Sequence, residues 1–563
     1  MENTWRALSA REIEQLEKQL NSADDWNLVS VVDAFNVEGV HRTHFGGNVF
    51  IGADVRIANV GLLAGYRLGD GCCLQNVGEL SFTGYRFDFP VEICNEDGSR
   101  TITASPDMIV TDACLAASVA ADHPLRTLCA SAEVYAAMKT GFFGRGVEIR
   151  NVRAVRNAYV GEHARLSECT LLENVLVQSS AEEPTFLGAG VVVRNAVLGL
   201  QNVVDTNAIV RNVVTGSHVS MTDGLRISHT VVGDNSHLAC CEVLHALIYS
   251  FHEQHHNNSF LIASTLQGQT NVAAGATLGS NHNGRMNDCD LVAGRGFWPG
   301  LCVSVKFPSR FASFTLMAKG DYPYEINLKL PFCLLNNNVH DNVLEIMPAF
   351  WWMYNAFALR RNAQKFAQRD KRKVVTQYVH TAPLAPDTVQ EIVDALNLMR
   401  QEYEALTRGV ERSKRSVRIL KKKEAEAAYR EMLLYYVIDT LKESYDRDPL
   451  HLLQMVKQSE REAWANVGGQ LMLQEEADKL LQQPSSDWQS MHVRYAEQWE
   501  RYEQDNRRNA CYVLKYLCDA KPDLEKMQML FEEGADVAAR FEARADAERA
   551  RDLAMKNGMD VGC

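Results

Sequence analysis

Aliphatic side chains recur every six residues through the first half of the chain. Ile51 and Ile57 open the series, and Leu62, Leu68, Leu74 and Leu80 continue it. The step returns at Val160, Leu166 and Leu172, at Leu187 and Val193, at Val232, Leu238 and Leu244, and at Leu266, Val272 and Leu278. Small or polar residues directly follow many of these positions, as in IGAD at 51, LGDG at 68, VGEH at 160 and VGDN at 232. An α-helix repeats its faces every ~3.6 residues, so a step of six does not describe one. It describes a short strand with one inward aliphatic residue and a tight turn taken by Gly, Asn or Asp. Such a unit cannot bury its aliphatic residue alone. Successive units must stack by parallel pairing, about 4.8 Å apart, to make a core. Asn59, Asn76, Asn151, Asn157, Asn174, Asn195, Asn202, Asn207 and Asn212 fit either turns or stacked amide ladders.

The repeat breaks between residues 81 and 146. FTGYRFDFPVEICNEDGSRTI reads as strands around an EDGS turn, and the stretch TDACLAASVAADHPLRTLCASAEVYAAMKTG as one or two short helices. After about residue 300 the chain becomes aromatic, with stretches that suit irregular strands. AFWWMYNAFALRRNAQKF, 349–366, reads as a helix, Pro383 and Pro386 break the chain, and long helical stretches follow. The predicted organisation is an N-terminal helical or capping segment over 1–44 and a repeat region over 45–300 with an insertion at 81–146. A mixed aromatic-rich connection over 301–386 and an α-helical domain over 387–563 complete it.

The repeated segments resemble the hexapeptide repeats of left-handed parallel β-helix proteins, a superfamily that includes many acyltransferases. The resemblance covers roughly residues 45–80 and 147–300. It implies a mainly β front, a left-handed parallel β-helix with an inserted segment, ahead of an α-helical C-terminal domain. It also implies a homo-oligomer, a trimer first of all, with sites between subunits. The layout of a hexapeptide front and a helical tail resembles, too, a large uncharacterised bacterial family.

Composition narrows the function classes. A chain of 563 residues exceeds one ordinary core and suggests two or more domains. The net charge of −13 argues against nucleic acid as a partner. The charged start, MENTWRALSAREIEQLEKQL, is not a signal peptide, and no run of about 18 apolar residues occurs, so no membrane span is expected. The 14 cysteines form no CxxC motif; scattered cysteines pack as small apolar residues in a reducing compartment, and a cytoplasmic location is expected. No GxxxxGK phosphate loop is present. The basic run KRSVRILKKK, 414–423, is followed by EAEAAYRE and suits a charged solvent face or an inter-helix contact.

Candidate chemistry concentrates in two stretches, FHEQHHNNSF at 251–260 and GSNHNGR at 279–285. His252, Glu253, His255 and His256 suit zinc or another first-row divalent metal by residue type. The spacing HEQHH is not the HExxH of a helical zinc site. The residues fit a metal site, a hydrogen-bonded polar cluster or a catalytic group, and the sequence names no cofactor. The superfamily resemblance adds one specific expectation, a histidine general base drawn from His252, His255, His256 and His282. Asn281, Asn283, Arg285 and Lys306 would then bind the substrate or cofactor, with the basic side chains on a phosphate. The expected function is an acyl-CoA-dependent transferase acting on a sugar or sugar-nucleotide, with a phosphorylated or nucleotide-linked small molecule as partner. The alternative is a non-catalytic, oligomeric β-helix assembly protein, with metal binding open to it. His218, His229 and His237 sit among the repeats and read as turn or ladder residues.

Overall fold

The computed structural model describes residues 4–279 and 290–559. Two compact units divide the chain. Residues 1–264, 372–377 and 484–492 form the first, and 265–371, 378–483 and 493–563 form the second. A β-solenoid at the front and an α-helical C-terminal region, the fold class expected from the sequence, are both present.

The first unit is built of stacked parallel strands. Helix Ala10–Lys18 precedes most of them, and a capping box fixes its start. The Ser9 hydroxyl accepts from the Glu12 N–H while the Glu12 carboxylate accepts from the Ser9 N–H. The strands then pair in register, coil upon coil. Ile57 lies beside Leu74, Val155 beside Leu172, Leu172 beside Val193, Val193 beside Val210, and Val210 beside Ile227. All of these side chains are buried.

A row of asparagines accompanies this aliphatic row. Asn157 donates from Nδ2 to Asn174 Oδ1 at 3.1 Å, Asn174 to Asn195 at 3.0 Å, and Asn195 to Asn212 at 2.9 Å. Each of the four has a positive φ between 50° and 58°. That backbone conformation costs a non-glycine residue roughly 1–2 kcal/mol, least for Asn. The buried amide bond returns about 1 kcal/mol and lets one residue both turn the chain and tie it to the next coil.

The coil length explains where the step of six fails. Asn59 donates to Asn76, 17 residues on, so this coil spans one residue fewer than three sixes. Ile51, Ile57 and Leu63 are inward residues of one coil, Leu68 opens the next beside Ile51, and Leu62 is left partly exposed. Later Ile227 pairs with Val243, so Val243 is buried and Leu244 is not.

The inserted residues leave the stack without breaking it. Leu74 pairs directly with Ile149 and Leu80 with Val155 across the insertion. The chain between them forms an antiparallel hairpin, Phe89–Glu92 with Thr101–Ala104, followed by helices Val110–Ser118 and Ala132–Ala137.

Two distant stretches complete this unit. The Arg372 guanidinium lies 2.5 Å from the Asp234 carboxylate, with each side chain only 4% exposed. The Lys373 and Val374 N–H groups donate to the Glu183 carboxylate at 2.9 and 3.3 Å, and His218 Nε2 lies 2.7 Å from it. The Gln377 amide donates to the Thr111 hydroxyl at 2.9 Å. His492 Nε2 pairs with Asp112 at 2.8 Å.

The second unit contains further short parallel strands. Thr277–Leu278, Ser304–Val305 and Asp321–Tyr322 form one row, and Leu291–Ala293, Ser309–Phe311 and Asn327–Leu328 another. Helices Pro386–Met399, Lys422–Arg447 and Leu524–Met559 are prominent in the rest. Within the basic run, Ser416–Ile419 is a strand against Val343–Met347, and Arg418 lies 3.1 Å from Glu345. Among the described residues no helix is long and apolar enough to cross a membrane. Most of the described cysteines are buried.

Helix Pro386–Met399 carries a pH-sensitive contact. Arg295, 2% exposed, grips Asp387 through two bonds of 2.7 and 2.9 Å. Glu391, one turn further on, accepts from the Ser313 N–H at 3.1 Å. Burial, reinforced by the nearby Asp387 charge, pushes the Glu391 carboxyl from 4.5 up to about 8. Between those two values the unfolded chain has lost a proton that the folded chain keeps, so stability falls as pH rises. Glu391→Gln is expected to flatten the decline in melting temperature between about pH 5 and about pH 8. Melts followed by circular dichroism across that range check this, and an unchanged slope assigns the decline to other groups.

Candidate metal centre

The cluster in FHEQHHNNSF is arranged by strand pairing. Strand Glu253–Gln254 pairs in parallel with strand His237–Ala239, placing His237 beside Glu253 and Leu238 beside Gln254. Side chains alternate along each strand, so Leu238 and Gln254 turn into the core. His252 shares their side. It is fully buried, its Nε2 lies 3.2 Å from Gln254 Oε1, and its N–H donates to the Ser236 hydroxyl at 3.2 Å. Burial pulls its imidazole down to about 4, so the ring is neutral at pH 7.

Glu253 and His255 fall on the other side, together with His237. The Glu253 carboxylate lies 3.0 Å from His255 Nδ1, with the side chains 9% and 31% exposed. The His237 and His255 rings stack at 4.9 Å with planes 13° apart. His256, exposed, places its ring 4.5 Å from that of His255. One ligand atom each from His237, Glu253 and His255 lies within 4.8 Å of the other two. Donors about 2.1 Å from a tetrahedral ion stand roughly 3.4 Å apart. Closing on an ion therefore needs side-chain shifts of about an ångström, which partly exposed rings can make. Two imidazoles and one carboxylate are the donor set of zinc and its first-row neighbours.

A second cluster, Glu92, His229 and His245, meets the same distance limit but suits a metal less well. His229 Nδ1 already accepts from the Glu92 N–H at 3.2 Å, and its Nε2 lies 3.1 Å from the Asn212 side-chain amide. His245 Nδ1 donates to the Glu92 carbonyl at 2.8 Å, and the two rings stack at 5.0 Å. Burial and the neighbouring His245 hold the His229 imidazole below its usual range. Both histidines have positive φ, 48° and 49°, and continue the asparagine row. An ion there would have to displace the hydrogen bonds of that row.

Lys306 belongs to the second unit and lies 3.2 Å from Glu325. Asn281, His282, Asn283 and Arg285 lie outside the described residues. His237 is the member that the sequence reading placed among turn and ladder residues. Its signal was the coil length, since it precedes its strand partner Glu253 by the same 16 residues that separate Ser236 from His252.

The family described as Domain of unknown function (DUF4954) matches residues 5–60 and 48–402. A protein of Treponema pallidum (strain Nichols), described as an uncharacterized protein, is 34% identical, aligned over 92% of this chain and 83% of its own length. With a match across more than half of its residues, the chain belongs to the DUF4954 family.

Proposed function

We propose that this protein is a metal-binding β-solenoid, with His237, Glu253 and His255 as ligands to zinc or another first-row divalent cation. The observation that carries the reading is the convergence of two imidazoles and a carboxylate within 4.8 Å, on two paired strands and the residue that follows one of them. The scaffold suits the task. Strand His237–Ala239 is paired on its other side with Ser220–Thr222, so its backbone is held from both sides. His256 is placed to supply a fourth ligand, or a water completes the shell. The left-handed coil, the hexapeptide kinship and the trimer belong to this reading on the strength of the sequence resemblance.

The test uses full-length protein purified without a histidine tag and dialysed against Zn²⁺. About one equivalent of metal per chain is expected by elemental analysis, and chelation should lower the melting temperature. His237→Ala and His255→Ala should each weaken zinc affinity at least about tenfold, and acidification should release the metal as the imidazoles take up protons. Zinc retained at full stoichiometry and affinity by the double alanine variant overturns the assignment.

The Glu253–His255 contact also favours a second reading. A carboxylate 3.0 Å from Nδ1, once aligned as a hydrogen bond, would orient the imidazole as a general base. Such a base would take the proton of a sugar hydroxyl attacking an acyl-CoA. Acyl-CoA turnover over a panel of sugar acceptors that survives chelation and disappears in His255→Ala would favour transfer over metal binding.

A further inference from the structure

Far in sequence from these histidines, the solenoid of the first unit stacks an unusual outward row. Phe50, Arg67, Phe142 and Tyr159 occupy matching positions on four successive strands. The Phe142 and Tyr159 rings lie 4.9 Å apart, tilted by 33°. Trp5 closes one side, 5.4 Å from the Phe50 ring and with the Arg67 guanidinium 5.3 Å from its own. The end of helix Ala132–Ala137 and the following Lys139 close the other, leaving a cleft of about 510 Å³. That volume is in the range of small-molecule sites, roughly 300–1,000 Å³.

The charge in this cleft is uncompensated. Some outward arginines of the unit have carboxylate partners, as Arg145 has Glu162, Arg156 has Glu79 and Arg194 has Glu173, whereas Arg67, like Arg56, Arg165 and Arg226, lies outside these pairs. Among the described residues, no carboxylate forms an ion pair with Arg67 or Lys139. What sets this cleft apart is the meeting of two cations with four aromatic rings in one space. Flat rings stack on aromatic side chains, and a guanidinium holds phosphate oxygens through paired N–H groups. The two recognitions lie within one cleft, so the ligand they fit carries a planar ring and a phosphate on the same small molecule.

We propose that this cleft binds a nucleoside phosphate, its base stacked against Trp5 and the Phe142–Tyr159 pair and its phosphate held by Arg67 and Lys139. The site is independent of the metal centre and stands or falls apart from it. Isothermal titration of the full-length protein with AMP, GMP, CMP and UMP tests it, with adenosine and inorganic phosphate as the separated halves. At least one nucleotide should bind with a Kd below about 1 mM, and adenosine and phosphate should each bind at least about tenfold more weakly. Arg67→Gln and Lys139→Gln should each weaken nucleotide binding by about tenfold, and added salt should weaken it further. Both residues are exposed, so the variants should melt as the wild type does, and a melt verifies this. Trp5→Leu probes the ring half without removing charge. Three results overturn the proposal. One is no saturable binding of any nucleotide. Another is phosphate binding as tight as nucleotide binding. The third is nucleotide affinity unchanged in the Arg67→Gln/Lys139→Gln double variant.

Discussion

Leu238→Asp is expected to destabilise the first unit by roughly 4–5 kcal/mol and to abolish its cooperative melt at moderate temperature. Leu238 is fully buried and lies in register between Met221 on one side and Gln254 on the other. No cation is available to a carboxylate at that position in the aliphatic row. In a stacked repeat the core of each coil packs on the coils beside it, so the damage passes directly to both neighbours. Leu238→Ala separates the two components of the loss. It leaves a cavity without a charge and should cost about 2–5 kcal/mol, less than the aspartate at the same site. Differential scanning calorimetry of both variants checks the ranking. A wild-type melt for Leu238→Asp would take this residue out of the core.

The second large effect is expected at Arg372. Replacing it with Met leaves the Asp234 carboxylate, 4% exposed, without its guanidinium. Removing one partner of a buried ion pair costs about 3–5 kcal/mol, because the remaining charge is stranded in a poor solvent. The Ser217 N–H still donates to Asp234 at 3.0 Å and softens the loss without cancelling it. Arg372→Met should therefore lower the melting temperature of the first unit and expose 372–377 to limited proteolysis. Adding Asp234→Asn should recover part of the stability, since the stranded charge is then gone. Equal melting of Arg372→Met and the wild type would mean that water reaches this pair.

The inward row was legible in the sequence because a solenoid asks the same thing of every coil. Val160, Leu166, Leu172, Val232, Leu238, Leu266, Val272 and Leu278 all recur at the expected step, and all are buried. Leu62 and Leu244 were misplaced because a coil length of 16 or 17 residues is visible only once strands are paired. The candidate site was half legible for the same reason. HEQHH announces a crowd of ligands, but side-chain alternation sends His252 inward and keeps Glu253 with His255. His237 joins them through register alone, and no local motif carries register. The partners of Asp234 and Glu183 were out of reach altogether, since Arg372 and Lys373 lie beyond a long stretch of unrelated pattern.

Those same partners impose an order of events on synthesis. The coils can zip one upon another as the chain leaves the ribosome, because each needs only the coil before it. Asp234, however, meets its cation 138 residues later, and Glu183 meets the Lys373 amide 190 residues later. At about 5–20 residues per second, Asp234 waits on the order of ten seconds for Arg372 to be made. The nascent solenoid therefore carries open acidic notches, and its last contact, His492 with Asp112, spans 380 residues. The first unit to emerge cannot be finished until residue 492 has been made.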